Sequence, residues 1–205
     1  METVNHSYRS LRRAIGILGI TLPIMLIIGN HGEVGGSISF YYYTKMSTVF
    51  TGILITFGLI LITYRGTDTT KGITNENVLT NMGGIFALLV ALVPTKYGNN
   101  IEALFYAHND NIRGWIHNGS AVLFIFFMGL VVMLKFGKAR YFRRFYKILG
   151  GLVMVGLAFA IFSFIFDRIT GQPPFKGAIF WGETFALWAF GIAWLRRGIP
   201  KKTTP

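Results

Sequence analysis

The 205-residue chain contains no cysteine, which excludes disulfides, thiolate metal sites and cysteine nucleophiles. Acidic residues are almost as scarce. Eight Asp and Glu stand against 20 Lys and Arg, and charged residues make up 14% of the chain, against the roughly 25% usual in soluble domains. A net charge of +12 would suit a nucleic-acid partner, but nucleic-acid modules are charge-rich. This excess sits instead on a chain that is 52% hydrophobic and 16% aromatic. The composition points to an integral membrane protein embedded in lipid, with no role in nucleic-acid binding.

Six apolar runs free of mid-span charge lie at 14–28, 46–64, 79–95, 116–134, 148–166 and 178–195. Each approaches the roughly 20 residues that span about 30 Å of hydrocarbon at 1.5 Å per residue. None alternates with the period of an outer-membrane strand, so the expected fold is all-α, a polytopic six-helix transmembrane bundle. Pro23 is expected to bend the first span, which has no small-x-small cleavage site after it and reads as a retained helix. No internal repeat, low-complexity tract or long linker divides the chain, so residues 1–205 form a single transmembrane domain. Glycines at 16, 19, 83, 84, 150, 151 and 156 fall where helices are expected to pack closely.

Orientation follows from the Lys and Arg in the short connections. With the N-terminus inside, 15 of the 20 fall on the cytoplasmic side, leaving Lys45, Lys96, Arg113, Arg168 and Lys176 outside. Both termini are then cytoplasmic, in a multi-pass protein of the cell membrane. Among the inner bases, Lys138, Arg140, Arg143 and Arg144 belong to the run KFGKARYFRRFYK. That run reads either as a topological signal or as a contact for anionic lipids of the inner leaflet.

Ionisable residues inside hydrocarbon are the default functional candidates. Here they share the outer side. Glu183 lies a turn and a half into the sixth span, Asp167 closes the fifth with Ser163 one turn deeper, and His117 opens the fourth with Ser120 three residues on. The first outer loop adds His31, Glu33, Ser37, Ser39, Tyr41, Tyr42, Tyr43 and Lys45, and the second adds Glu102, His108, Asp110 and Arg113. The opposite ends show no comparable acidic or histidine cluster. This asymmetry suggests an outward polar pocket, with Ser37, Tyr41, Tyr42, Tyr43, Lys45, His117, Ser120, Asp167 and Glu183 as its candidate residues. For Glu183 the readings are proton acceptor, ligand anchor or metal ligand on one side. On the other is a structural bond to Lys45 or to the stripe Tyr41, Tyr42, Tyr43.

No cofactor is evident. Zinc is the one metal that the residues suggest, since His31, His108, Asp110 and His117 lie at one membrane level, but no HExxH spacing brings two imidazoles to one helix face. No Lys stands mid-span to carry a Schiff base, and no phosphate-loop or GxSxG motif occurs.

The stretch GSISFYYYTKMSTVFTGILITFGLILITYRG (36–66), with ALLVALVPT (87–95), HNGSAVLFIFF (117–127) and FWGETFALWAFGIAWLRRG (180–198), resembles a bacterial family of six-span membrane proteins of the domain-of-unknown-function type. The resemblance covers nearly the whole chain and implies a six-span topology. The chain departs from the family pattern at Lys45, where that pattern has Pro, and at Ser47 and Thr48, where it has an Arg-Asp pair. A weaker likeness links the chain to the alkaline ceramidase and progestin-receptor-type membrane hydrolases, but their HxxxH pair in the last helix is missing here. Three functions are therefore in view. The first is a binding protein for a lipid or small polar ligand, alone, as a homo-oligomer or as accessory to a membrane complex. The others are a metal-dependent hydrolase of a lipid amide or ester, and a small proton-coupled transporter.

Overall fold

The computed structural model describes residues 2–66, 72–95, 110–138 and 142–199, the side chains of residues 2–6, 110 and 138 excepted. Among these residues there are six α-helices and no strand: α1 (Glu2–Gly29), α2 (Ser47–Thr63), α3 (Glu76–Leu92), α4 (Asp110–Leu130), α5 (Arg143–Thr170) and α6 (Ala178–Gly198). A short 3₁₀ helix, Ile38–Tyr43, lies in the connection between α1 and α2.

Local chemistry sets the helix ends. Asn75 caps α3, its side chain accepting the Asn77 N–H at 2.8 Å. Pro94 holds Val93 extended (φ −103°, ψ 110°), as expected of a residue that precedes proline. Together they place the helix about one turn earlier than the apolar run at 79–95. Gly171, left-handed at φ 74°, stops α5 by donating its N–H to the Asp167 carbonyl. α5 therefore runs one turn past Asp167. α4 passes into a π-helical turn, Val131–Lys135, where the Phe136 N–H reaches the carbonyls of both Val131 and Val132. Lys135 and Phe136 are buried there.

Each helix packs antiparallel on the next, and α6 closes the ring against α1. The tightest crossings are glycine on glycine. A Cβ on Gly16 would lie 2.7 Å from the Gly191 carbonyl, and one on Gly191 would lie 2.8 Å from the Gly16 carbonyl. Gly58 and Gly84 are related in the same way across α2 and α3, as are Gly156 and Gly182 across α5 and α6. Only backbones without a Cβ approach so closely, and dispersion between them drives association where lipid offers no hydrophobic gain. Gly151, expected at a packing face, has open space around its Cβ position.

Aromatic rings fill the axis. Phe57 of α2 lies 5.9 Å from Phe124 and 6.0 Å from Phe190, and Phe190 leads to Trp194 at 5.8 Å. Trp194 in turn meets Tyr64 at 5.3 Å and Phe136 at 5.0 Å. Apolar side chains also face outward on every helix, among them Ile17, Leu59, Ile85, Leu123, Val155 and Ile192. The outward hydroxyls of Thr21 and Thr56 are satisfied within their own helices, on the Ile17 carbonyl and on that of Gly52. A hydroxyl bonded back to its own helix needs no partner from its surroundings.

Four helical segments are long and apolar enough to cross a membrane: Ser7–Gly29, Asn111–Lys135, Arg143–Thr170 and Ala178–Gly198. α2 and α3, at 17 residues each, are apolar but shorter, about 25 Å in length.

Candidate functional site at the strap end

At the end of the bundle away from the termini, residues 30–46 form a strap across the helix ends. The SISFYYYT segment gives it a local shape. Ser37 accepts the Phe40 N–H at 3.2 Å and caps the 3₁₀ helix. Thr44 closes it, donating its hydroxyl to the Tyr41 carbonyl and accepting the Met46 N–H. Tyr41, fully buried, takes the Gly35 N–H at 3.2 Å and donates to the Glu33 carbonyl at 2.8 Å, tying the strap to itself.

Two polar residues of the bundle hold this strap from opposite sides. His117 of α4 is 0% exposed. Its Nδ1 lies 2.6 Å from the Val93 carbonyl and its Nε2 lies 2.7 Å from the Ser39 hydroxyl. A carbonyl only accepts, so Nδ1 carries the proton, and the neutral ring receives the Ser39 O–H on Nε2. One imidazole thus links α4, the end of α3 and the strap. On the other side, Glu183 Oε2 of α6 accepts the Ile38 N–H at 2.7 Å. Next to it, the Phe180 N–H donates to the Gly36 carbonyl at 3.1 Å. Oε1 of Glu183 has no hydrogen-bond partner among the described residues, and the side chain keeps partial exposure.

The remaining candidates take simpler positions. Tyr43 donates to the Thr95 carbonyl, fastening the strap to the chain beyond α3. Tyr42 packs on Tyr43 and Phe50, and burial raises its phenol pKa above the ordinary 10.0. Lys45 is exposed and donates to His31 at 2.5 Å, so it does not pair with Glu183. Ser120 is buried one turn below His117. Ser163 bonds back to its own helix at the Phe159 carbonyl, and Asp167 is partly exposed near the end of α5. Among the described residues no three His, Asp or Glu side chains gather as metal ligands. His108, Arg140 and the side chains of Asp110 and Lys138 lie outside the described residues. Arg143 and Arg144 are exposed where α5 begins.

The other end of the bundle holds a network that sequence reasoning missed. Arg12 Nε donates to the Tyr64 hydroxyl at 2.8 Å, and Tyr64 donates to Glu76 Oε1 at 3.1 Å. Glu76, 3% exposed, is therefore a buried acid at the end where the sequence shows no acidic cluster. The three residues belong to three helices and have no common spacing. A single acid behind an Asn cap was the one available signal.

No protein-family model, curated protein or solved structure matches this chain.

Proposed function

We propose that the chain is a six-span protein of the cell membrane, with both termini cytoplasmic, that binds a lipid or small polar molecule at its outward face. The resemblance to a six-span family, the basic inner connections and the outward apolar residues Leu59 and Ile85 on the two shorter helices support the topology. The binding reading rests on Glu183. It is a carboxylate inside an apolar helix that spends one oxygen on a single strap amide and, among the described residues, leaves the other without a partner. A polar ligand able to donate to Oε1, or to replace the Ile38 N–H, gains a hydrogen bond there and shifts the strap between docked and released states. The hydrolase alternative has less support, because both ring nitrogens of His117 are engaged. So does the carrier alternative, because rings fill the axis.

The cysteine-free chain makes the topology directly testable. In whole cells, a membrane-impermeant maleimide should label Lys176→Cys and leave Ile73→Cys untouched, and the reverse pattern refutes the orientation. For binding, hydrogen exchange of residues 30–46 is compared in phosphatidylethanolamine/phosphatidylglycerol nanodiscs and in neutral detergent. Lipid should slow exchange of the strap in the wild type and not in Glu183→Leu. Equal exchange in both environments sinks the reading.

A further inference from the structure

The second feature that the packing leaves unexplained lies at the termini end. There, three buried nitrogens have no hydrogen-bond partner among the described residues: Arg12 Nη2, Trp194 Nε1 and Arg197 Nε. They surround one set of rings. Arg12 holds the Tyr64 hydroxyl, the Tyr64 and Trp194 rings lie 5.3 Å apart, Trp194 reaches Phe136 at 5.0 Å, and the Arg197 guanidinium sits 5.3 Å from the Phe136 centroid. Trp194 is 0% exposed, so its indole N–H has no access to water. Orphaned buried donors are rare in native structures and cost as much as lost hydrogen bonds. Three around one cluster mark a place where an acceptor belongs.

The charge balance identifies that acceptor. Arg12, Arg196 and Arg197 all lie within electrostatic reach of the Tyr146 hydroxyl, and Lys135 is buried at the same end. Glu76 is the one acid there with a described side chain, and it already takes the Tyr64 O–H. The unspent groups are donors of positive or neutral character approaching from α1 and α6. A phosphate offers enough oxygens to accept from several such directions, and guanidinium groups match it in charge and shape.

We propose that the cluster of Arg12, Trp194 and Arg197 binds the phosphate group of an anionic ligand, with Arg12 Nη2, Arg197 Nε and Trp194 Nε1 as its donors. This site is separate from the strap and from the exposed Arg143 and Arg144. The same chemistry is offered by an anionic lipid headgroup and by free phosphate in solution.

The test uses the full-length protein, delipidated in neutral detergent and titrated with dioctanoyl phosphatidylglycerol, dioctanoyl phosphatidylcholine or inorganic phosphate. Binding is read by thermal shift and tryptophan fluorescence. Saturable stabilisation by phosphatidylglycerol, at least tenfold tighter than by phosphatidylcholine, assigns the site to a lipid headgroup. Saturable stabilisation by inorganic phosphate with no added effect of the lipid assigns it to a soluble phosphate. In either case Arg197→Gln should weaken binding by tenfold or more. Trp194→Phe, which removes the N–H and reduces the indole to a single ring, should weaken it several-fold; the melting temperature of the unliganded variant, lowered by the lost packing, serves as the baseline for its response. Equal response to the zwitterionic lipid, no response to any of the three, or undiminished binding in both variants overturns the proposal.

Discussion

The ring of His117 and the hydroxyl of Ser39 meet at 2.7 Å across 78 positions of sequence, so a histidine inside α4 holds the serine of a loop that precedes α2. The same ring also binds the Val93 carbonyl. Removing it leaves two buried groups unsatisfied at once. His117→Ala should therefore cost roughly 2–4 kcal/mol, and Ser39→Ala about 1 kcal/mol. Thermal unfolding in detergent measures both, and a His117→Ala protein as stable as wild type would refute the keystone role.

Glycine substitutions should divide sharply by position. Gly191→Ala places a methyl group 2.8 Å from the Gly16 carbonyl, and Gly58→Ala places one 2.9 Å from that of Gly84. Each should destabilise by about 1–3 kcal/mol, because the backbones must separate. Gly151→Ala meets nothing within 4 Å and should stabilise α5 slightly, by about 0.5–1 kcal/mol, through helix propensity. Equal effects at the three positions would contradict the packing.

Tyr64 is the middle member of a chain that runs from Arg12 to Glu76. Tyr64→Phe keeps the ring contact with Trp194 and strands a guanidinium N–H and a buried carboxylate. The expected loss is about 2–4 kcal/mol, more than a neutral hydrogen bond would give, because charged groups are left unpaired. In a double-mutant cycle, Tyr64→Phe with Glu76→Gln should lose less than the sum of the single losses. Strict additivity would show that the two residues do not share a network.

Alkaline pH should release the strap. Burial, the largest influence, raises the Tyr41 phenol pKa above its ordinary 10.0; the Gly35 N–H lowers it and the Glu33 charge raises it. Because the folded pKa lies above the unfolded one, the stabilisation is complete below the unfolded value and disappears as pH rises through the folded value. Melting temperatures followed from about pH 8 to 11 should fall more steeply for the wild type than for Tyr41→Phe. Parallel curves would show that Tyr41 is not the group responsible.

Much of the helical framework could be read along the chain, because each apolar run has to satisfy its backbone internally. The boundaries moved wherever a neighbour decided them: Asn75 and Pro94 shifted α3, and Gly171 extended α5 past Asp167. Gly16, Gly84 and Gly156 drew attention as small residues, but their partners Gly191, Gly58 and Gly182 did not. Nothing local shows which two backbones will meet. Lys45 illustrates the same limit. As the base nearest the tyrosine stripe it suggested a partner for Glu183, and the fold gives it His31 instead.

By itself, the order of residues determined an all-helical chain with apolar helices suited to a membrane, and a polar, tyrosine-rich loop between the first two of them. Those properties follow from composition and from the hydrogen bonds that each helix makes within itself. Only the tertiary structure decided which polar groups meet. Glu183 finds a backbone amide 145 positions away, His117 finds Ser39, and Arg12 finds Tyr64. Each pairing is a choice among buried groups that must be satisfied somewhere, and closing the six-helix ring makes that choice. The same closure left Arg12, Trp194 and Arg197 with donors unspent.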